Sequence, residues 1–185
     1  MPRVVDAAAE RDGILDRCLL PFARDGYGLV RMRDVARAAG VSTGKLYHYF
    51  PDKRSIAVAL LDRELASDVE ALRLALAATA SAAERRAAFL RFLDARQDRL
   101  AATLLLALDH QRVEGPGAAA AVLRAYRDAM SALLGIDADV VMTLVLGLLA
   151  RRVLDPAGLD LARHWDAVAD QLGPSRADDV PMTAS

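Results

Sequence analysis

The 185 residues carry 24 Lys/Arg against 25 Asp/Glu and are 54% hydrophobic, enough chain to bury a core without disulfides. Alanine and leucine abound, prolines number seven, and alternating apolar/polar stretches are scarce, which argues an all-α fold. A single cysteine, Cys18, excludes an intrachain disulfide, and the longest apolar run, Val140 to Ala150, is 11 residues, short of the roughly 20 a membrane span needs.

The first predicted helix runs from about Asp6 to Asp25, with Leu15, Cys18, Leu19 and Phe22 at i, i+3, i+4 and i+7. Gly26 ends it. Pro21 lacks an N–H and crowds the carbonyl of Arg17, so a kink is expected near residues 17–21. A short amphipathic helix, Met32 to Ala39, turns Val35, Ala36 and Ala39 inward, and Gly40 forms a corner. Ser42 is placed to cap a second short helix, Thr43 to Phe50, which Pro51 stops. Two short helices joined by a tight turn are the layout of a helix-turn-helix, whose second helix reads the major groove.

Asp52 caps a long helix from Lys53 to about Ala78, with Ile56, Leu60, Leu61 and Leu65 at helical spacing. Helical segments follow at Ala82 to about Ala95 and at Asp98 to Val113, before a break at Gly115-Pro116-Gly117. Ala118 to Leu134, Ala138 to Leu154 (capped by Asp137) and Leu159 to Leu172 complete about nine helices. The polar segment from Gly173 reads as a disordered tail. The N-terminus is polar, without the apolar block of a signal peptide. Together with the lone cysteine this points to a soluble cytoplasmic protein.

The near-neutral net charge hides an asymmetry. Residues 1–54 carry 10 Arg/Lys against 7 Asp/Glu, whereas residues 55–185 carry 14 against 18. Both lysines, Lys45 and Lys53, lie in the N-terminal part. On a helix-turn-helix such an excess favours nucleic acid.

Residues 12–61, from DGILDRCLLPFARDGYGLV to PDKRSIAVALL, resemble the DNA-binding region of the TetR (tetracycline-repressor-like) family of bacterial regulators. The resemblance is carried by G-V-S-x-G-x-L-Y-x-Y-F-x-x-K at Gly40 to Lys53 and F-A-x-x-G-Y at Phe22 to Tyr27. It implies a helix-turn-helix domain at 1–52, a helical effector-binding and dimerisation domain at 53–173, and a tail at 174–185. It further implies a homodimer that represses by binding a palindromic operator on double-stranded DNA and releases it when a small-molecule inducer binds. Two positions depart from the family pattern: Arg31 stands where a capping Thr is common, and Pro21 where an aliphatic residue is usual.

On the second short helix, Thr43, Lys45, Tyr47 and His48 are small or polar enough to face a groove, and Gly44 lets the backbone approach. Lys45 is expected to reach a base edge such as guanine O6/N7. By the resemblance, Thr43, Tyr47, His48 and Lys53 hold phosphates. Arg31 and Arg33 are further phosphate candidates at a helix N-terminus.

Residues 140–150 are apolar on nearly every face and need cover on nearly every side. Leu144, Val145, Gly147 and Leu148, with Trp165, Val168 and Leu172, are the expected dimer face in a four-helix bundle. Phe89, Phe92, Leu93, Leu105, Tyr126 and Met130 are candidate lining for an effector pocket, with Arg96, Gln97, Asp109 and His110 as polar anchors. That lining suits an apolar or amphipathic effector.

Catalysis is disfavoured. Asp109, His110 and Glu114 could suggest acid/base or metal chemistry, but adjacent helical positions point about 100° apart. No HExxH, P-loop or cysteine pair is present, and neither metal nor cofactor is expected. A rival reading is a DNA-binding regulator without an effector, controlled by a partner protein.

Overall fold

The computed structural model describes residues 7–115, 117–134 and 137–155. Among them are eight helices and no strand: α1 (Ala7–Asp16), α2 (Leu19–Asp25), α3 (Met32–Ala39), α4 (Thr43–Tyr49), α5 (Lys53–Leu76), α6 (Ala82–Glu114), α7 (Ala120–Leu134) and α8 (Ala138–Leu154). The expected helix at Leu159 to Leu172 and the tail lie outside the described residues.

The expected kink in the first helix is a full break. Arg17 and Cys18 form a turn whose N–H groups bond back three residues, to Ile14 and Leu15, and α2 starts afresh at Leu19. Pro21 thereby falls in the first turn of a new helix, where its missing N–H costs no hydrogen bond. Cys18 is fully buried at the break and its thiol donates to the Ile14 carbonyl. Burial pushes that thiol up to about 11, so it is unreactive at neutral pH.

The two segments expected at 82–95 and 98–113 are one helix of 33 residues. Nothing between Ala95 and Asp98 breaks it, since Arg96 and Gln97 are both good helix formers. Ser81 caps its start by accepting from the Glu84 N–H at 3.1 Å, and Gly115, at φ +99°, ends it.

Helix α5 packs on α6 and α7, α2 packs on α6, and α8 covers α6 and α7. One core cluster gathers Ile14, Leu15, Phe22, Tyr27, Leu46, Phe50, Ile56, Leu60 and Leu61, and runs on into Leu106 of α6 and Val122 of α7. A second gathers Leu72, Phe89, Phe92, Leu93, Leu100, Met130, Val141 and Leu149. No single described helix is long and apolar enough to cross a membrane.

Between the clusters lie two buried carboxylates of α5. Glu64 takes both guanidinium arms of Arg99. Asp68 accepts from Arg96 at 2.6 Å and from the Tyr126 hydroxyl at 2.7 Å. Burial raises the pKa of Asp68 even so.

Candidate nucleic-acid interface and adjoining cavity

Gly40 adopts φ +69° and donates to Ala36 and Arg37, while the Val41 N–H bonds to the Ala36 carbonyl at 3.0 Å. This left-handed corner ends α3 and turns the chain into α4. Ser42 then accepts from the Lys45 N–H at 3.1 Å, satisfying one of the free donors at the start of α4. At α3 the capping position is Arg31, whose side chain makes no cap; the Asp34 carboxylate accepts from its N–H at 3.2 Å instead.

Leu46 and Phe50 are buried, which fixes the opposite face of α4 outward. Thr43, Gly44, Lys45, Tyr47 and His48 are all exposed on it, and Arg31 and Arg33 are exposed at the start of α3. A Cβ added at Gly44 would meet nothing within 4 Å, so this stretch of backbone is open to a close partner. Tyr49 is half-buried: its hydroxyl donates to Glu10 at 2.6 Å, and its ring meets His48 edge-on at 5.1 Å.

The two lysines are more occupied than their sequence positions suggest. The Lys45 ammonium pairs with Glu10 of α1. Lys53, the other expected phosphate contact, has its ammonium donating to the carbonyls of Tyr27 at 2.6 Å and Gly28 at 3.2 Å, 4.5 Å from the Tyr27 ring centre. Burial lowers its pKa, against the pull of Glu114 and Asp109.

The C-terminal end of α6 grips the loop that precedes α3. Tyr27 donates to Glu114 at 2.6 Å, and the Gly28 N–H donates to Asp109 at 2.9 Å. Asp109 also accepts from Arg112, and these bonds outweigh burial to hold its carboxyl below the usual range. His110 is buried edge-on against Tyr27 at 5.1 Å, and neither ring nitrogen has a hydrogen-bond partner among the described residues. Burial lowers its pKa, partly countered by Glu114.

Among α6, α7 and α8 lies a cavity of about 60 Å³. Phe89, Phe92, Leu93, Tyr126 and Met130 line it, as expected for an effector pocket, and so does Val145, expected at the dimer face. Leu105 and Asp109 do not. They sit on the α2-facing side of α6, in a shallow groove with Phe22, Leu29 and Leu108. Arg96 is spent on Asp68 and Ser67 beside the cavity. On α8, Leu144 and Leu148 are half-buried and Gly147 is exposed; Trp165, Val168 and Leu172 lie outside the described residues.

Three structural features escaped the sequence reading: the contacts of Glu10, the Glu64/Asp68 pair, and the Tyr27–His110 junction. For the pair a signal existed. Ala57, Leu60, Leu61, Glu64, Asp68 and Leu72 form one stripe at three- and four-residue spacing, so two acids sit in a buried register and require partners.

A family model described as bacterial regulatory proteins, tetR family, matches residues 14–60, the segment that contains the α3–Gly40–α4 unit. Over that segment the chain is similar to the tetR family. The HTH-type transcriptional repressor KstR of Mycolicibacterium smegmatis is 44% identical over 68 residues, 36% of this chain and 33% of that protein. The match thus spans about a third of the curated relative's length. The fatty acid degradation regulator FadR from Bacillus halodurans has the same fold, with TM-score 0.69 and 21% identity over 90% of this chain and 96% of that one. A transcriptional regulator from Saccharomonospora viridis, solved in complex with choline, superimposes with TM-score 0.70 and 19% identity over 89% of this chain and 96% of that one. TetR-family proteins are regulators, not enzymes. No group of three or more His, Cys, Asp or Glu side chains among the described residues could hold a metal ion.

Proposed function

We propose that this chain is a tetR-family transcriptional repressor that binds a palindromic operator as a homodimer and releases it when a small apolar molecule enters the α6–α8 cavity. The observation that carries the reading is α4: anchored by Leu46 and Phe50, it turns Thr43, Gly44, Tyr47 and His48 outward within the segment the family matches. In this reading α4 enters the major groove, Lys45 offers a donor to base edges, and Tyr47, His48, Arg31 and Arg33 hold phosphates. Lys53 supports the site from behind by fixing the Tyr27–Gly28 loop.

Residues 1–52 form the DNA-binding domain and 53–173 the effector and dimer domain. The apolar α8, with Val140 45% exposed and Gly147 allowing close approach, supports pairing with a second copy. Pairing would set two copies of α4 in successive major grooves roughly 34 Å apart. The cavity is narrow, holding the volume of only a few waters. A ligand must therefore push aside the flexible Met130, Met142 and leucine side chains that line it. Tyr126 lines the cavity and hydrogen-bonds Asp68 of α5, so a displaced lining bears on the helix that follows α4. Release then requires only that the ligand prefer the arrangement in which the two reading helices no longer match the groove spacing.

The test is selection of genomic fragments by purified protein, with the Lys45→Ala/Tyr47→Ala variant as control. Enrichment of one inverted repeat, lost in the variant, is expected. A folded dimer that enriches nothing overturns the reading.

A further inference from the structure

Glu10 lies on α1, outside the motif that points to DNA, yet its carboxylate is bound to α4. One oxygen accepts from the Lys45 ammonium and the other from the Tyr49 hydroxyl at 2.6 Å. Lys45 and Tyr49 stand four residues apart and share the flank of α4 that faces α1. Gly44 and His48 form the neighbouring, exposed stripe. The pair is at the surface: the Lys45 side chain is 43% exposed and that of Glu10 24%. A negative charge therefore stands at the rim of the face that meets the DNA backbone. Lys45 is also the one lysine on α4, and the other lysine, Lys53 of α5, donates to backbone carbonyls.

We propose that Glu10 is a specificity-determining residue of the DNA interface: it tethers the Lys45 ammonium away from phosphates and leaves it as a fixed donor for base edges. This rests on α4 being the reading helix. An untethered lysine is a mobile point charge on a flexible stem, and it settles on the nearest phosphate, adding affinity without sequence information. Lysine has three N–H donors. With one held by Glu10, the others stay available at a fixed place, the condition for reading guanine O6 and N7. The carboxylate also repels phosphates, so a non-cognate complex gains nothing from Lys45. The second bond, from Tyr49, anchors the carboxylate so that it cannot follow the ammonium onto the DNA. It also sets the Tyr49 ring against which His48 packs.

The experiment is fluorescence anisotropy over a salt series, with the full chain, on the enriched repeat and on a scrambled duplex of equal length. Wild type, Glu10→Gln and Glu10→Gln/Lys45→Ala are compared. Glu10→Gln is expected to bind the scrambled duplex roughly eightfold tighter at 0.1 M salt, with the slope of log K against log salt steeper by about 0.9, the signature of one added phosphate contact. Discrimination against the scrambled duplex falls by a similar factor, and Lys45→Ala restores the original slope. An unchanged slope and discrimination, or the same gain in the double variant, overturns the tether. Should Glu10→Gln lose its helical signal and bind neither duplex, Tyr49→Phe decides. It keeps the charge pair but frees one anchor, so reduced discrimination is expected and an unchanged value overturns the proposal. A wild type that enriches no repeat overturns the reading of α4 itself, whereas an enriched wild type with an unaltered Glu10→Gln overturns only the tether.

Discussion

The two core clusters are built to different tolerances. Around α4, Phe22, Tyr27, Leu46, Phe50, Ile56 and Leu60 are each no more than 1% exposed, and none of them lines the α6–α8 cavity. In the second cluster Phe92 and Leu100 keep 7% exposure and Leu149 keeps 8%, and all three border that cavity. A filled core holds its backbone to one arrangement because interiors resist compression. A core with a hollow beside methionines and leucines can repack at small cost. Under the proposed function, the first suits a surface that must match DNA, and the second a chamber that changes when filled.

The sharpest challenge to this contrast is a matched pair of truncations. Phe50→Ala should destabilise the chain by about 3–5 kcal/mol, because it opens a void in a closed core. Leu93→Ala, beside an existing cavity, should fall near the low end of the range for such changes, about 2 kcal/mol. Urea unfolding of both variants checks it, and equal losses would erase the distinction. Next in size is the corner itself: Ser42→Ala removes the cap of α4 and should cost about 1 kcal/mol, read by the same method.

The smallest expected effect is a pH slope at the junction between the two regions. Burial holds the pKa of His110 below its ordinary value, with Glu114 pulling the other way and Arg54 adding to the decrease. The unfolded chain therefore takes up a proton first as pH falls. His110 contributes stability that is complete above its unfolded value near 6.5 and is lost as pH drops through the folded value. The slope cannot exceed about 1.4 kcal/mol per pH unit for one proton. Unfolding between pH 7.5 and 5 should show wild type losing more stability than His110→Gln, and parallel curves would remove His110 from the account.

Much of the N-terminal half was legible in the residues, because local signals there carry their own geometry. Gly26, Gly40, Ser42 and Asp52 end or start helices where their chemistry says they should. Pro21 announced a disturbance, though not that the helix would break outright. In the other half the apolar residues were visible but their partners were not. Helix α6 has neighbours on several sides, α2, α5 and α8, so periodicity marks its residues as apolar without saying which side each faces. Leu104 and Leu105 illustrate this: adjacent leucines, one lining the cavity and the other the outer groove. The occupation of Lys45 by Glu10 was hidden for a different reason, since 35 residues separate the two and no local pattern joins them.

The unbroken course of α6 has a mechanical consequence. Its 33 residues make a rod about 50 Å long, with Phe89 to Ala107 beside the cavity and Asp109 to Glu114 holding the loop that leads into α3. A hinge in the middle would absorb motion; a stiff beam multiplies it. Under the proposed function, a slight tilt imposed at the Ala82 end would emerge at the Glu114 end as sideways travel in proportion to the length of the beam. The tip that travels is the part fastened to Tyr27 and Gly28.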